Sequence, residues 1–280
     1  KTPSSYLYLL AKSLARSVLA WFKACRDQKA RGIDIGRNGL KYFLFRSYDN
    51  LILAYQSKKL LDRSFYDEFD PNDKYLYYAL NSQPEYATQV MDNMWINQLS
   101  IVEALAKSIP FDWKIYVKEH PATIGWRVRP FSFYRDIRQY PNVKLIPIDM
   151  DNMQVVKNSQ MVVAISSTAA WEAVLFYNKP VITFSRAVYN VTGLARQCSD
   201  LTELSRLIYD ECERINEVSV EERRKRLVAL LNAILLNSIW INNPLATLTG
   251  SKDLSDREFE INARTMVSAI KKHIDGFYSM

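Results

Sequence analysis

The stretch from Met161 to Phe184, MVVAISSTAAWEAVLFYNKPVITF, decides the fold. It begins with a wholly apolar run, Met161 to Ile165, which is typical of a buried strand. After three hydroxyl residues, Ala169 to Tyr177 contains strong helix formers with a capping residue ahead of them, which predicts a helix. Asn178-Lys179-Pro180 ends that helix, and Val181 to Phe184 is the next predicted strand. A strand, a helix and a strand in this order predict a parallel sheet.

The same alternation extends upstream of this stretch. Trp113 to Val117 (WKIYV) and Val143 to Ile148 (VKLIPI) are β-branched and aromatic runs that predict strands. Asp151 to Ser159 is a predicted short helix, and a first strand begins near Tyr75. We therefore expect the α/β fold class, with a Rossmann-like parallel sheet and flanking helices over residues 74–200.

Polar side chains follow two of the predicted strands. Lys118 and His120 come at the carboxyl end of the WKIYV strand, and Ser166 and Ser167 follow the MVVAI strand. The carboxyl ends of parallel strands meet at one edge of a sheet, where helix N-termini favour an anion. Lys118 adds a positive charge there without a metal. The sequence thus predicts a phosphate site at this edge.

The types of side chain at this edge favour a nucleotide over free phosphate. The hydroxyls of Ser166, Ser167 and Thr168 can donate hydrogen bonds, and the imidazole of His120 can also donate. Glu172 lies one turn into the helix, where its carboxylate is poorly placed for phosphate but can accept hydrogen bonds from ribose hydroxyls. We therefore predict a nucleotide-binding site.

Each of these residues also has an ordinary structural interpretation. Ser-Ser-Thr before a helix is often only an N-cap, and Glu172 in the first turns can simply complement the helix dipole. His120 before a proline can be a satisfied turn histidine. The functional interpretation is favoured because both motifs end predicted parallel strands, and one of only 2 histidines in the chain lies there.

The motif KEHP at 118–121 and the stretch ISSTAAWEAVLFYNKPVITF at 165–184 together resemble a known family. They are similar to the C-terminal half of bacterial capsular and surface polysaccharide biosynthesis proteins, a group that includes Kdo transferases using a CMP-activated sugar. YLYYALNSQPEYAT at 75–88 and the amphipathic stretch from Ile96 to Ser108 extend the resemblance to about residues 74–190. It implies a GT-B glycosyltransferase, in which two Rossmann-like domains face a cleft and the C-terminal one holds the nucleotide.

The resemblance also implies roles for individual residues. By position, His120, Ser166 and Ser167 match the phosphate-binding His-Pro and Ser-Ser elements of CMP-sugar users. Glu172 matches the ribose-binding acid that is common in GT-B folds. The further donor-binding candidates beside the phosphate are Lys118 and Thr168.

The catalytic candidates are His120 and Glu85. Gln83, Pro84 and Glu85 follow the first strand and are expected to face the cleft, where they are candidates for contact with the sugar or the acceptor. A carboxylate that starts a helix after proline explains Glu85 equally well. His120 is expected to stabilise charge on the leaving phosphate, and a general-acid role stays open.

The predicted function is transfer of a sugar from a nucleotide donor, with a CMP-sugar favoured, to a glycan or glycolipid acceptor of a capsular or surface polysaccharide. No metal or other obligatory cofactor is expected. Glycerophosphate transferases that use CDP-glycerol share part of the motif, and UDP-sugar users remain possible. A non-catalytic nucleotide- or glycan-binding module is the rival from another class. A sugar-nucleotide epimerase would need a second histidine in the cleft, and His273 lies in the last predicted helix.

Composition indicates a globular cytoplasmic protein. The 280 residues are 48% hydrophobic and 12% aromatic, which is enough for a substantial core. Cys25, Cys198 and Cys212 have no metal-ligand spacing and suit reduced thiols. We find no signal peptide, and no apolar run reaches the roughly 18 residues of a membrane span.

Helical segments are expected on both sides of the sheet domain. Residues 1–73 are predicted to be helical, as a linker from a missing N-terminal domain. An amphipathic basic helix is expected from Ser5 to Lys29, and a second helical region, rich in Tyr and Phe, from about Leu40 to Phe65. The whole segment, residues 1–73, holds 13 basic and 8 acidic residues, a large part of the net charge of +7. It can contact an anionic inner membrane peripherally or pack on its own protein. Without a nucleic-acid-binding motif, no nucleic-acid partner is expected.

The C-terminal region, residues 201–280, is predicted to consist of helices that pack on the sheet domain. Their expected spans are Leu201 to Ile215, Val220 to Ile241 and Asp256 to Tyr278.

Overall fold

We describe the protein from a computed structural model. The structure describes residues 39–83, 85, 87–124, 128–238 and 255–278, together with five helical positions between 15 and 26. Apart from those five positions, the predicted helix at 5–29 lies outside the described residues, as does Pro84. The chain divides into two compact units, Lys1–Arg223 and Arg224–Met280.

A six-stranded parallel sheet forms the centre of the first unit, which confirms the predicted fold class. Its order is β3-β2-β1-β4-β5-β6, so the winding direction reverses between β1 and β4. In such sheets ligands bind outside the carboxyl ends of the strands at this switch point. The strands are β1 (Tyr75–Ala79), β2 (Lys114–Lys118), β3 (Val143–Ile146), β4 (Met161–Ala164), β5 (Val181–Thr183) and β6 (Arg196–Gln197).

The described parts of the chain contain nine α-helices. They are α1 (Gly39–Leu60), α2 (Gln98–Ser108), α3 (Phe131–Ile137), α4 (Asn152–Asn158), α5 (Thr168–Glu172), α6 (Val188–Val191), α7 (Leu204–Glu217), α8 (Val220–Leu236) and α9 (Asp256–Tyr278).

The predicted helix after MVVAI is present and has two parts. The α5 segment continues directly into a π-helical turn, Ala173–Tyr177. Asn178 then ends it in the left-handed conformation, with φ of 52°. Asparagine tolerates this region better than most residues, so it stops the helix without a glycine.

The two faces of the sheet carry different side chains, because successive residues of a strand point to opposite sides. Leu76 and Tyr78 of β1 belong to the main apolar core, which also contains residues of α2 and α7. Tyr75 and Tyr77 point the other way. The Tyr75 hydroxyl donates to the main-chain oxygen of Val155 in α4, at 2.7 Å. One face of the sheet is therefore apolar, while the other combines aromatic rings with hydrogen-bonded hydroxyls.

The segment before β1 is only partly helical. The predicted helix from Leu40 to Phe65 is observed as α1 followed by a 3₁₀ turn, Arg63–Phe65, which the Asp62 side chain caps. Beyond it, the main-chain N–H of Asp67 donates to the Leu145 carbonyl at 2.9 Å, and its carboxylate accepts from the Leu145 N–H at 2.8 Å. Leu145 lies in β3, the edge strand, so this segment satisfies edge groups that would otherwise stay unpaired.

Helix α7 belongs to the core of the sheet domain, since Leu204, Leu207 and Ile208 are buried in it. Helix α9 has the predicted bounds. Helix α8 begins at the predicted Val220 but ends at Leu236, and residues 239–254 lie outside the described part. Among the helices that the structure describes, none combines the length and apolar character needed to cross a bilayer.

Candidate functional site

Three loops meet where the winding of the sheet reverses. Ala79 pairs with Lys118 across β1 and β2, and Tyr78 pairs with Val163 across β1 and β4. The three strands therefore end at nearly the same level. The loop after β1, which begins with Leu80, lies between the loops of the His-Pro and Ser-Ser motifs. Both motifs are thus at one edge of one sheet, with the β1 loop as their common neighbour.

Ser167 occupies the N-cap position of α5 but does not cap the helix. Its side chain makes no capping hydrogen bond, and its Oγ atom is buried without a partner among the described residues. Ser166 is partly buried, and Thr168 is exposed. The ordinary N-cap interpretation therefore does not account for the Ser167 hydroxyl, which is buried at the switch point with its hydrogen-bonding capacity unused.

His120 ends the loop after β2 and caps the 3₁₀ turn Pro121–Thr123. Its Nδ1 atom accepts a hydrogen bond from the Ala122 N–H at 3.1 Å. This bond assigns the proton of the neutral imidazole to Nε2. Among the described residues, no group is hydrogen-bonded to Nε2. The ring is thus oriented by one nitrogen and has a donor available on the other.

Lys118 is the last residue of β2 and is buried. Its Nζ atom donates to the main-chain oxygen of Met150 at 2.6 Å. Burial lowers the pKa of this ammonium group, while the carboxylates of Glu172, Asp151 and Asp149 act in the opposite direction. Lys118 therefore provides positive charge near Glu172, with one of its three donors already used by a carbonyl.

Glu172 is oriented by a chain of two polar residues that sequence reasoning missed. Asn152, the first residue of α4, donates from Nδ2 to the Glu172 carboxylate, and its Oδ1 atom accepts from the Tyr77 hydroxyl at 2.6 Å. Burial is the main cause that raises the pKa of Tyr77, and the charge of Glu172 adds to it. Neither Asn152 nor Tyr77 belongs to a recognisable motif, because their partners come from other strands and helices.

Asn81 bridges the switch point itself. Its Nδ2 atom donates to the main-chain oxygen of Ser166 at 3.1 Å and to Oε2 of Glu85 at 3.3 Å. Its main-chain N–H and C=O both bond the side-chain amide of Gln98, at 2.8 and 3.0 Å. The residue is 3% exposed, and its Oδ1 atom has no partner among the described residues. Asn81 belongs to neither the His-Pro motif nor the Ser-Ser motif.

A buried ion pair borders the site on the β2 side. Arg129 contacts Glu119 at 2.8 Å, and the Tyr134 hydroxyl donates to the same carboxylate at 2.9 Å. Arg129 also donates to Oε1 of Gln83 at 2.6 Å, while Nε2 of Gln83 donates to the Ile96 carbonyl at 2.6 Å. Gln83, a candidate for sugar contact, is thus tied to protein partners at both ends of its amide.

The described residues include two free thiols but no metal-binding group. In the described ranges, no group of three His, Cys, Asp or Glu side chains is arranged to hold a metal ion. Cys198 and Cys212 are free thiols, and burial raises the pKa of each to about 11. Cys25 and the side chain of His273 lie outside the described part of the chain.

The doubly wound parallel sheet and its switch point define a Rossmann-like α/β domain. The family model for capsule polysaccharide biosynthesis protein matches residues 66–205, half of the chain. The protein belongs to that family. The match spans the whole sheet, including the His-Pro and Ser-Ser motifs.

Several solved structures are also similar to this chain. The UDP-GlcNAc 2-epimerase of Methanocaldococcus jannaschii is 17% identical over 61% of this chain and 45% of its own, with a TM-score of 0.38. The β-Kdo 2,4-transferase KpsC of Thermosulfurimonas dismutans is 17% identical over 55% and 51%, with a TM-score of 0.36. The β-Kdo 2,7-transferase KpsC of the same organism is 17% identical over 59% and 54%, with a TM-score of 0.38.

The chain thus covers about half the length of these three structures. No curated protein sequence matches it significantly.

Proposed function

We propose that this chain is the donor-binding part of a glycosyltransferase that moves a sugar from a nucleotide donor, most simply a CMP-sugar, to a capsular or surface polysaccharide. The observation that carries the proposal is the buried Ser167 hydroxyl without a partner among the described residues, at the switch point of a capsule-family sheet. A buried polar atom in a folded protein normally has a partner. A bound phosphate oxygen supplies one.

In this proposal the His120 and Ser167 loops bind the donor phosphate. The Nε2–H group of His120 and the hydroxyls of Ser166, Ser167 and the exposed Thr168 donate to its oxygens. Lys118 adds positive charge at the carboxyl end of β2, so that no metal is obligatory. Because Nδ1 of His120 is held by the Ala122 N–H, the imidazole need not reorient when the nucleotide binds.

The ribose lies on the Glu172 side of the phosphate. A carboxylate has only acceptors when ionised, so it suits the two donating hydroxyls of a ribose. Asn152 uses part of the acceptor capacity of Glu172 and fixes its direction. Lys118 is close enough to Glu172 for the two charges to interact.

Sugar transfer breaks the bond between the anomeric carbon and the donor phosphate oxygen, and that oxygen keeps the electron pair. An acceptor hydroxyl oxygen forms the new bond to the anomeric carbon and loses its proton to a base. His120 and Ser167 stabilise the negative charge that develops on the leaving nucleotide. We assign Glu85, whose carboxylate accepts from Asn81, as the candidate base.

The acceptor in this proposal is a glycan or glycolipid at the cytoplasmic face of the bacterial inner membrane. The basic character of residues 1–73 supports a peripheral contact with anionic lipids. The second domain that a GT-B enzyme needs would complete the cleft above the switch point.

The proposal is tested by calorimetric titration of the chain with CMP, CDP and UDP. Wild-type protein is expected to bind CMP with micromolar to millimolar affinity. His120→Ala and Ser167→Ala are each expected to weaken binding about tenfold, since each removes one hydrogen bond to a charged group. Ser205→Ala is the control, because Ser205 is exposed and bonds only the Ser108 carbonyl among the described residues.

Three results would argue against the proposal in different ways. If the folded chain binds none of the three nucleotides, the proposed phosphate site is wrong. Stronger binding of CDP than of CMP would favour a CDP-glycerol-type transferase, whose donor shares the partial motif. Binding of CMP without sugar transfer, even when a second GT-B domain is supplied, would favour a non-catalytic binding module.

A further inference from the structure

We infer that Asn81 binds a hydroxyl group of the sugar that the donor nucleotide carries. The inference rests on the proposed function and adds a specificity-determining residue to it. Neither the His-Pro motif nor the Ser-Ser motif includes Asn81, which lies in the loop between them.

The orientation of the Asn81 amide follows from its partners. Nδ2 lies 3.1 Å from the Ser166 main-chain oxygen and 3.3 Å from Oε2 of Glu85. Both partners are acceptors, so the atom facing them must be the NH₂ donor. The remaining atom, Oδ1, is therefore an acceptor in a definite direction. It is buried and has no partner among the described residues.

A buried acceptor without a partner is costly, because its desolvation is not compensated by a hydrogen bond. A phosphate group cannot satisfy it, since an ionised phosphate offers only acceptors. The neighbouring Glu85 carboxylate is also an acceptor when ionised. Together, Oδ1 of Asn81 and the carboxylate of Glu85 suit a ligand that presents hydroxyl donors, and a sugar ring is such a ligand.

The loops around the switch point therefore differ in hydrogen-bonding polarity. His120 and Ser167, on the β2 and β4 loops, present donors that suit phosphate. Asn81 and Glu85, on the β1 loop between them, present acceptors that suit hydroxyls. A nucleotide sugar carries both a phosphate and a sugar with hydroxyl groups, so it can satisfy both sets at once.

Asn81 is also unusually well supported for a loop residue. The side-chain amide of Gln98, which is itself buried, bonds both the N–H and the C=O of Asn81. The bond from Nδ2 to Ser166 joins the β1 loop to the β4 loop. A binding group that is fixed before the ligand arrives loses little entropy on binding.

The test compares a nucleotide with the same nucleotide carrying a sugar. Calorimetry gives the affinities of wild-type protein for CMP, CMP-N-acetylneuraminic acid, UDP and UDP-N-acetylglucosamine. The measured quantity is the sugar gain, defined as the affinity for the sugar nucleotide divided by the affinity for the bare nucleotide. Asn81→Ala removes the amide, and Asn81→Leu removes it while filling a similar volume.

Both variants are expected to reduce the sugar gain about tenfold, the effect of one hydrogen bond from a buried group. Their affinity for the bare nucleotide should stay within about twofold of wild type, because Asn81 contacts the main chain of Ser166 and no phosphate-binding side chain. Asn142→Ala is the control. Asn142 lies just before β3, at the amino end of that strand and so on the side of the sheet away from the site. Its amide donates to the Ala106 carbonyl at 2.8 Å. It should leave the sugar gain unchanged.

Two results would overturn the inference while leaving the nucleotide site intact. The first is a sugar gain that neither variant changes, which would mean that solvent satisfies Oδ1. The second is a wild-type chain that binds nucleotide but gains nothing from either sugar. Equal loss of both affinities would also overturn it and would make Asn81 a structural residue. Failure of wild-type protein to bind any nucleotide would instead reject the proposed function.

Discussion

The Nε atom of Arg129 lies 2.8 Å from the Oε2 atom of Glu119, and the two side chains are only 10% and 0% exposed. Arg129 also reaches the main-chain oxygen of Asn81 and the amide of Gln83. One buried ion pair therefore connects the end of β2 to the β1 loop. This contact determines how the two loops that border the site lie against each other.

Replacing Arg129 by methionine is expected to lower the free energy of unfolding by about 3–5 kcal/mol, because it leaves the Glu119 carboxylate buried without its charge partner. Urea unfolding followed by circular dichroism measures this change. Arg135→Met is the matched control, since the Arg135–Asp136 pair spans 3.4 Å and Arg135 is 79% exposed. It should change the free energy of unfolding by less than about 0.5 kcal/mol. Equal effects of the two substitutions would contradict a structural role for the buried pair.

Glu172→Gln is expected to weaken CMP binding about tenfold, because the amide replaces a charged acceptor for the ribose hydroxyls. The same substitution should change the affinity for 2′,3′-dideoxy-CMP less than about twofold, since that ligand lacks both hydroxyls. Calorimetric titration of both ligands gives the comparison. Glu213→Gln, at an exposed position of α7, serves as control. If Glu172→Gln weakens both ligands by the same factor, Glu172 does not bind the ribose.

The protein is expected to lose stability as the pH rises from 10 towards 12. Burial raises the pKa of Tyr66 and of Tyr189 to about 12, against about 10 for an unfolded tyrosine. Between these values the folded state binds more protons than the unfolded state, so the free energy of unfolding falls as pH increases. The stabilising contribution is complete below pH 10. Urea midpoints measured on both sides of pH 10 test the sign.

A double substitution, Tyr66→Phe with Tyr189→Phe, provides the control for this pH dependence. It removes two of the groups with a raised pKa and should make the decline shallower. The hydroxyl of Tyr66 donates to the Leu60 carbonyl at 2.5 Å, which requires the protonated phenol. A free energy of unfolding that rises through this pH range would rule out the explanation.

Cys198 and Cys212 are expected to react slowly with a disulfide reagent such as Ellman's reagent at pH 8. Burial raises the pKa of both thiols to about 11, so very little reactive thiolate is present in the folded protein. A Cys25→Ser background removes the third cysteine from the signal. Unfolding in urea should accelerate the reaction by more than about a hundredfold. Equally fast reaction of the folded protein would show that these thiols are accessible.

Much of the fold was predictable because its signals are local. Consecutive residues are enough to predict β2 to β5, the helix after Ser167 and the final helix α9. Each is an apolar run or a run of helix formers between stop signals. The very short β6 was missed, because two residues carry too little pattern. The sequence also predicted that the His-Pro and Ser-Ser motifs lie together, because the carboxyl ends of parallel strands meet on one side of the sheet.

The tertiary structure alone decided which side chains complete the site. Asn81 and Ser166 are 85 residues apart, and Asn152 and Glu172 are 20 apart. Their contacts depend on the strand order, which inserts β1 between β2 and β4, and on the crossover that brings α4 beside α5. The sequence by itself determined the elements and the edge where the motifs lie, because propensity and periodicity act between near neighbours. Partners across the switch point were decided only by packing, since hydrogen bonds between distant residues leave no local pattern.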